Sequence, residues 1–192
     1  MKIIGITGGS GAGKTTVTKS FCGYGAEVLD ADVLAREIVE PGKPALEEIK
    51  KEWENVVENG VLNRKALAKI VFNNEEDLHK LNTITHKYVV DEIKRRISVS
   101  KAEIFIIDAI ALFESGLSEL CDVTVFVTAE KETRIKRIMA RDNLARLEAE
   151  ERINAQKSDD FYETRADFVI LNNDGAGSHQ EIIERIVKGS TL

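Results

Sequence analysis

Residues 2–7, KIIGIT, form a short β-branched apolar run that passes directly into Gly8-Gly9-Ser10-Gly11-Ala12-Gly13-Lys14-Thr15, and a helical stretch, TTVTKSFCGYG, follows from Thr15. This is G-x-x-x-x-G-K-[ST] in the strand–turn–helix setting that gives the pattern its meaning. Glycines permit a tight concave backbone whose N–H groups converge, and the helix N-terminus adds partial positive charge at the same point. A glycine-rich turn that matched by accident would have no reason to stand between the first strand and the first helix. The stretch is therefore expected to cradle the phosphates of ATP through Gly9, Ser10, Gly11, Ala12, Gly13, Lys14, Thr15 and Thr16. Lys14 is expected to reach the β and γ phosphates as a catalytic cation, and Thr15 to ligate Mg²⁺.

Four further runs read as strands: AEVLD (26–30), EIFIID (103–108), VTVFVT (123–128) and DFVIL (167–171). They are almost continuously apolar and alternate with helical patterns, as strands buried on both faces of a parallel sheet do. The expected fold is α/β: a three-layer P-loop NTPase fold with a five-stranded parallel sheet, right-handed crossovers, a helical insert and a short lid.

The stretch 32–100 is too long for one crossover and is rich in helix signals. Asp32 is placed to cap a helix through VLAREIV, which Pro41-Gly42 ends. Asn63 is placed to cap RKALAKIVF, with Ala66, Leu67, Ile70 and Val71 on one face. A last helix, YVVDEIKRRI, returns to the sheet. Ligands of open α/β sheets sit beyond the carboxyl ends of the strands, which makes this insert a candidate cap on the acceptor side.

At 192 residues, 43% hydrophobic and 31% charged with only 2 prolines, the chain fits one ordered domain, 1–192. A formal net charge of −6 supplies no basic field for nucleic acid or anionic membranes, so an anionic ligand has to be held by a local site. Cys22 and Cys121 match no metal spacing and read as reduced thiols of a cytoplasmic protein. The N-terminal apolar run is too short for a signal peptide, and no run approaches a membrane span. The expected partners are small molecules, with no nucleic acid and no membrane, and the expected state is a monomer or small homo-oligomer.

GTPases carry Asn-Lys-x-Asp and ABC ATPases a Ser-Gly-Gly-Gln type of segment, and this chain has neither. The pattern that remains is a small-molecule kinase, which works by positioning and charge stabilisation. Carboxylates at strand ends suit it: Asp30 with Asp32 beyond it, and Asp108. Asp32 is the preferred general base, with helix capping as the structural alternative; Asp108 is placed for substrate hydroxyls or Mg²⁺ waters. Arg134, Arg137 and Arg141 follow at helical spacing, with Arg146 in an expected loop, so residues 141–156 read as a lid. Arg141, at the helix end, is the choice for an arginine that closes over ATP and acts in catalysis, a solvated helix face being the alternative for each. His79 and His179 read as surface residues; His86 reads either as a phosphate contact or as part of a helix face.

These pieces together resemble the dephospho-CoA kinase family over nearly the whole chain: GITGGSGAGKTTV, DADVLAREIVEPG, VLNRKALAKIVFNN, DAIALFESGL, FVTAEKETRIKRIMARDN, INAQ and ADFVILNNDG occur in the family's order. The resemblance implies transfer of the ATP γ-phosphate to the ribose 3′-hydroxyl of dephospho-CoA, giving CoA and ADP, with Asp32 as base. It implies acceptor contacts from Asp32, Arg36, Arg64, His86 and Asp108. It also places the stretch from Asn172 to Gly175 near adenine, with Asn173 as an ATP contact. Two prolines of the family pattern are absent, at Lys87 and Ile110, which frees the backbone after Asp108 and restores an N–H donor there. Another nucleotide kinase on the same core, or a nucleotide-dependent scaffold without catalysis, are the rival classes.

Overall fold

The computed structural model describes residues 1–173 and 179–189. In chain order its elements are β1 (Lys2–Gly8), α1 (Lys14–Cys22), β2 (Glu27–Asp30), α2 (Ala31–Glu37), α3 (Pro44–Glu52), β3 (Val57–Glu58), β4 (Val61–Leu62), α4 (Arg64–Val71) and α5 (Glu75–Val99). Then come β5 (Ile104–Asp108), a 3₁₀ turn (Leu117–Leu120), β6 (Val123–Thr128), α6 (Lys131–Asp142), α7 (Arg146–Asn154), α8 (Asp159–Glu163), β7 (Phe168–Leu171) and α9 (Gln180–Lys188). The chain divides into two compact units, Met1–Leu29 with Ser100–Leu192, and Asp30–Val99.

The first unit is built on the five-stranded parallel sheet, ordered β2-β5-β1-β6-β7. All five expected runs are strands. β1 is central, paired in parallel with β5 (Ile6 opposite Asp108) and with β6 (Gly8 opposite Val127). Side-chain alternation then divides the apolar residues between two faces. Ile4, Ile6, Ile104, Ile106, Val125, Val127 and Ile170 pack with Val17 and Phe21 of α1 and Ile183 and Ile186 of α9. Phe105, Ile107 and Phe126 belong to the opposite face, where Phe126 stacks on Tyr162 of α8 at 4.9 Å between ring centroids. Gly5 is required on that side, since a Cβ there would lie 2.8 Å from Leu112 and 2.7 Å from the Cys121 sulfur.

The second unit is helical with one exception. α5 runs for 25 residues, so it begins well before the YVVDEIKRRI helix expected from the pattern, and it packs against α2, α3 and α4. Its buried residues include Ile84, Val89 and Ile93, which meet a core containing Leu34, Leu46, Ile49, Leu67 and Val71. Trp53 closes this core with its indole N–H on Asp77 at 2.9 Å. The exception is the β3–β4 hairpin, turned by Asn59 (φ 50°) and Gly60 (φ 78°), both left-handed as a two-residue primed turn demands.

Two capping expectations resolve differently. Asn63 caps α4, accepting from the Ala66 N–H at 3.0 Å. Asp32, however, does not cap α2. Asp30 does so, its Oδ1 accepting from the N–H groups of Asp32 and Val33 at 2.9 Å each, because the helix begins at Ala31 and Asp32 falls in its first turn. α2 also ends at Glu37, before Pro41-Gly42, where Gly42 turns at φ 82°. Among the described residues, no helix is long and apolar enough to cross a membrane.

Candidate active site

Between β1 and α1 the chain turns through Gly11 (φ 77°) and Gly13 (φ 87°), left-handed conformations that L side chains resist. Gly13 is the N-cap of α1 and offers no side chain to its orphan N–H groups. The turn therefore leaves backbone donors and the positive helix end directed at one place, the arrangement that binds anions.

That place is a cavity of about 710 Å³ lined by Gly8, Gly9, Ser10, Gly11, Gly13, Lys14, Thr15 and Ile110, and on the other side by Arg137, Arg141 and Arg152. Every lining residue belongs to the first unit. Lys14 donates from Nζ to the Asp108 carboxylate, whose second oxygen accepts from the Thr18 hydroxyl at 3.2 Å. Asp108, expected to face acceptor hydroxyls or Mg²⁺ waters, is engaged with the lysine of the loop. Thr7 at the end of β1 ties the chain beyond Asp108 through its hydroxyl to the Ile110 carbonyl at 2.9 Å.

The arginines separate into two groups. Arg134 is buried, with Nε on the Ser10 carbonyl at 3.0 Å, Nη1 on Asp159 at 3.1 Å and Nη2 on Gln156 at 3.3 Å. It holds the back of the loop, which overturns the alternative of a solvated helix face for this arginine. Arg137 likewise donates to the Gly11 and Ala12 carbonyls, both at 3.3 Å, and to the Asn173 carbonyl at 3.1 Å.

Arg141, in the last turn of α6, and Arg152 of α7 line the cavity beside Arg137 and share one carboxylate. Arg141 grips Asp142 with two bonds of 2.8 Å, and Arg152 reaches the same residue at 2.6 Å. The two cations hold the Asp142 carboxyl below its ordinary pKa, the Arg141 hydrogen bond contributing most.

Arg146 is not in a loop. It opens α7 and pairs with Glu132 at 2.5 Å and Glu150 at 2.8 Å. The 141–156 stretch is thus largely a helix whose Ala149 packs on Ile135 and Ile138 of α6.

Asn173 directs its amide oxygen to the Glu130 N–H at 2.8 Å. Asp174 and Gly175, expected near adenine, lie outside the described residues. In the second unit Asp32 is half-buried in the first turn of α2 and Arg36 stands in its last turn. Arg64 donates to the Arg36 carbonyl at 3.4 Å, which brings those two acceptor-side candidates together; His86 is exposed along α5. His179, read as a surface residue, is buried instead, with Nε2 3.1 Å from the Ser20 hydroxyl.

Two residues at the loop, Arg152 and Gln156, escaped the sequence reading, and Asn172, which the resemblance places near adenine, meets the loop from behind. Gln156 accepts from the Ser10 N–H at 2.9 Å, and Asn172 donates to the Ala12 and Gly13 carbonyls at 3.1 and 3.4 Å. INAQ and the Asn after the last strand were visible as segments, but nothing local tells that their amides meet the first loop.

The chain is similar to known proteins over most of its length. The family model for dephospho-CoA kinase matches residues 2–178. A dephospho-CoA kinase of Corynebacterium diphtheriae is 39% identical over 193 residues, covering 98% of this chain and 94% of its own. Among solved structures, a Thermus thermophilus protein superposes with a TM-score of 0.82 at 33% identity, covering 100% of this chain and 98% of its own. The dephospho-CoA kinase of Campylobacter jejuni gives 0.68 at 29% identity, covering 100% of both chains. With the phosphate loop, its lysine and the arginine-lined cavity all in place, this chain is a kinase and belongs to the dephospho-CoA kinase family.

Proposed function

We propose that the enzyme transfers the γ-phosphoryl group of ATP to the ribose 3′-hydroxyl of dephospho-CoA, releasing CoA and ADP as the last step of coenzyme A formation. The observation that carries this reading is the cavity that joins the phosphate loop to Arg137, Arg141 and Arg152 in a chain of this family. ATP phosphates enter against the N–H groups of the loop. Lys14 leaves Asp108 for the β and γ phosphates, and Arg141 neutralises charge on the group in transit, where stabilisation counts most.

Asp32 takes the proton of the 3′-hydroxyl as its oxygen bonds to the γ-phosphorus and the bond to the bridging oxygen of ADP breaks. Arg36, Arg64 and His86 serve the acceptor side, and Asp108 keeps Lys14 aligned until nucleotide arrives. Asn173 belongs to the nucleotide side. Residues 141–156 act as the lid that excludes water, since transfer to a hydroxyl in preference to water requires a sheltered site.

Mg²⁺ fits the donor set. Among the described residues no group of three His, Cys, Asp or Glu side chains could hold a metal alone, whereas Thr15 presents an exposed hydroxyl at the cavity. Mg²⁺ keeps several waters and takes the rest of its shell from substrate phosphates, so one hydroxyl suffices. Bound there, the ion would supply charge neutralisation on those phosphates. The reading puts the enzyme in the cytoplasm, acting on small molecules, as a monomer or small homo-oligomer.

The test is an acceptor screen with ATP and Mg²⁺ on the full chain: dephospho-CoA beside AMP, UMP, dTMP and shikimate, with product identified by mass. CoA forms only from dephospho-CoA, and chelation of Mg²⁺ stops it. Turnover confined to another acceptor refutes the assignment.

A further inference from the structure

The carbonyl oxygens of Ser10, Gly11, Ala12 and Gly13 are all taken by side chains. Arg134 holds the first at 3.0 Å, Arg137 the second at 3.3 Å, Arg137 and Asn172 the third at 3.3 and 3.1 Å, and Asn172 the fourth at 3.4 Å. Arg134 and Asn172 are 6% and 1% exposed, and neither lines the cavity, so the Ser10, Ala12 and Gly13 carbonyls that they hold are drawn toward the protein interior. In a trans peptide the C=O and the following N–H point in opposite directions. Drawing the Ser10 and Ala12 carbonyls inward therefore turns the N–H groups of Gly11 and Gly13 toward the cavity that these residues line, and the Gly13 carbonyl, which also accepts from the Thr16 and Val17 N–H groups at 2.9 and 3.3 Å, is fixed by α1 together with Asn172. The Ala12 N–H is spent on the Gly9 carbonyl at 3.1 Å.

We propose that Asn172 and Gln156 are positioning residues of the phosphate site: with Arg134 they fix the peptide orientations of the loop, so that donors face the nucleotide before it binds. This rests on the ATP-site reading above and goes beyond it, because neither side chain touches nucleotide in it. Without the brace a glycine-rich turn rotates freely, and each reversed peptide presents an oxygen to an anion where a donor is needed.

Gln156 completes the arrangement from the end of the lid. Its Oε1 accepts both the Ser10 N–H at 2.9 Å and Arg134 Nη2 at 3.3 Å, which ties α7 to the start of the loop. Arg134 is itself oriented by Asp159, whose other oxygen accepts from Thr128 at the end of β6 at 2.6 Å. The Thr128 carbonyl in turn accepts the Asn172 N–H at 2.8 Å, so the two halves of the brace share the end of one strand. Each anchor is a buried or half-buried polar group with a named partner, which makes the donor geometry costly to lose.

The experiment measures MgATP and dephospho-CoA affinities separately by calorimetry on the full chain, with melting temperature recorded for every variant. Asn172→Asp keeps the shape and replaces the donor by an oxygen facing two carbonyls; it is expected to weaken MgATP binding roughly tenfold to a hundredfold. Gln156→Leu is expected to weaken it roughly tenfold. Gln156→Glu, which still offers an oxygen to Ser10 and Arg134, is expected to restore it to within about threefold. Dephospho-CoA affinity stays within about twofold throughout.

MgATP affinity unchanged in Asn172→Asp and Gln156→Leu overturns the proposal. So does equal loss in Gln156→Leu and Gln156→Glu, or equal weakening of both ligands. Should Asn172→Asp fail to fold, the two Gln156 variants decide alone. A parent chain that binds no MgATP overturns this proposal together with the donor-site reading, whereas one that binds MgATP but does not phosphorylate dephospho-CoA sinks only the acceptor assignment.

Discussion

Lys14, the first residue of α1, is paired with Asp108, the last residue of β5, and the two side chains are only 16% and 11% exposed. The parallel pairing that sets Asp108 opposite Ile6 makes this possible, because β1 then runs on into the loop that returns Lys14 to the same end of the sheet. The pair keeps the lysine extended toward the place where phosphate is expected. A desolvated charge without a partner would be costly.

Lys14→Met removes the cation and keeps the apolar stem. Turnover is expected to fall by about 10² to 10³, the usual worth of one charge-stabilising donor. Steady-state rates at saturating ATP check it, and turnover near that of the parent would deny Lys14 its role.

Asp32→Asn should leave MgATP affinity as it is and lower kcat by about 10² to 10⁴, the range for loss of general-base help. Because Asp30 and not Asp32 caps α2, the melting temperature should hardly change. A large drop in stability with little drop in kcat would assign Asp32 a structural purpose instead.

Arg141 and Arg152 make different predictions although they share Asp142. Arg141→Ala is expected to lower kcat by about 10³, as for an arginine that stabilises the transferring group. Arg152→Ala should lower kcat/KM for ATP by roughly tenfold, the value of one charged hydrogen bond to a phosphate. Initial rates over a range of ATP concentrations separate the two. Equal, small effects would return both to the role of surface ion pairs, which contribute little.

His179 gives a pH test. Burial lowers its pKa from the ordinary value, so the unfolded chain takes up a proton near pH 6.5 while the folded chain does not. Stability is therefore lost as pH falls from about 7 toward the folded-state pKa, and it levels off below that. Melting curves of the parent and of His179→Gln should differ most near pH 7.5, with the gap narrowing toward pH 5. A gap that stays constant with pH would exclude the effect.

Much of this protein is readable along the chain wherever the determining contacts are local. The five strands show in β-branched runs, the Asn63 cap in a side chain three residues from its donor, and the phosphate loop in the glycines at 11 and 13 that its positive φ angles require. The Asn59-Gly60 hairpin was readable too, from its turn dipeptide, but went unread among helix signals. α5 was underestimated because its first half is polar around most of its circumference, and packing against α2, α3 and α4 extends it beyond what periodicity marks. α2 begins two residues earlier than expected, so the capping role passes from Asp32 to Asp30.

The sequence by itself determined that a phosphate loop follows the first strand, which lysine and threonine it carries, and which family the chain resembles, since these depend on residue types at fixed short spacings. Only the tertiary structure decided what surrounds that loop. Arg134 lies on its back and not over its mouth, Arg137 bonds its carbonyls while lining the cavity, Asn172 and Gln156 take backbone groups of the loop, and Lys14 rests on Asp108. The physical reason is that a loop without side chains must have its backbone satisfied by groups from elsewhere. Those groups come from residues more than ninety positions away, where no spacing rule reaches.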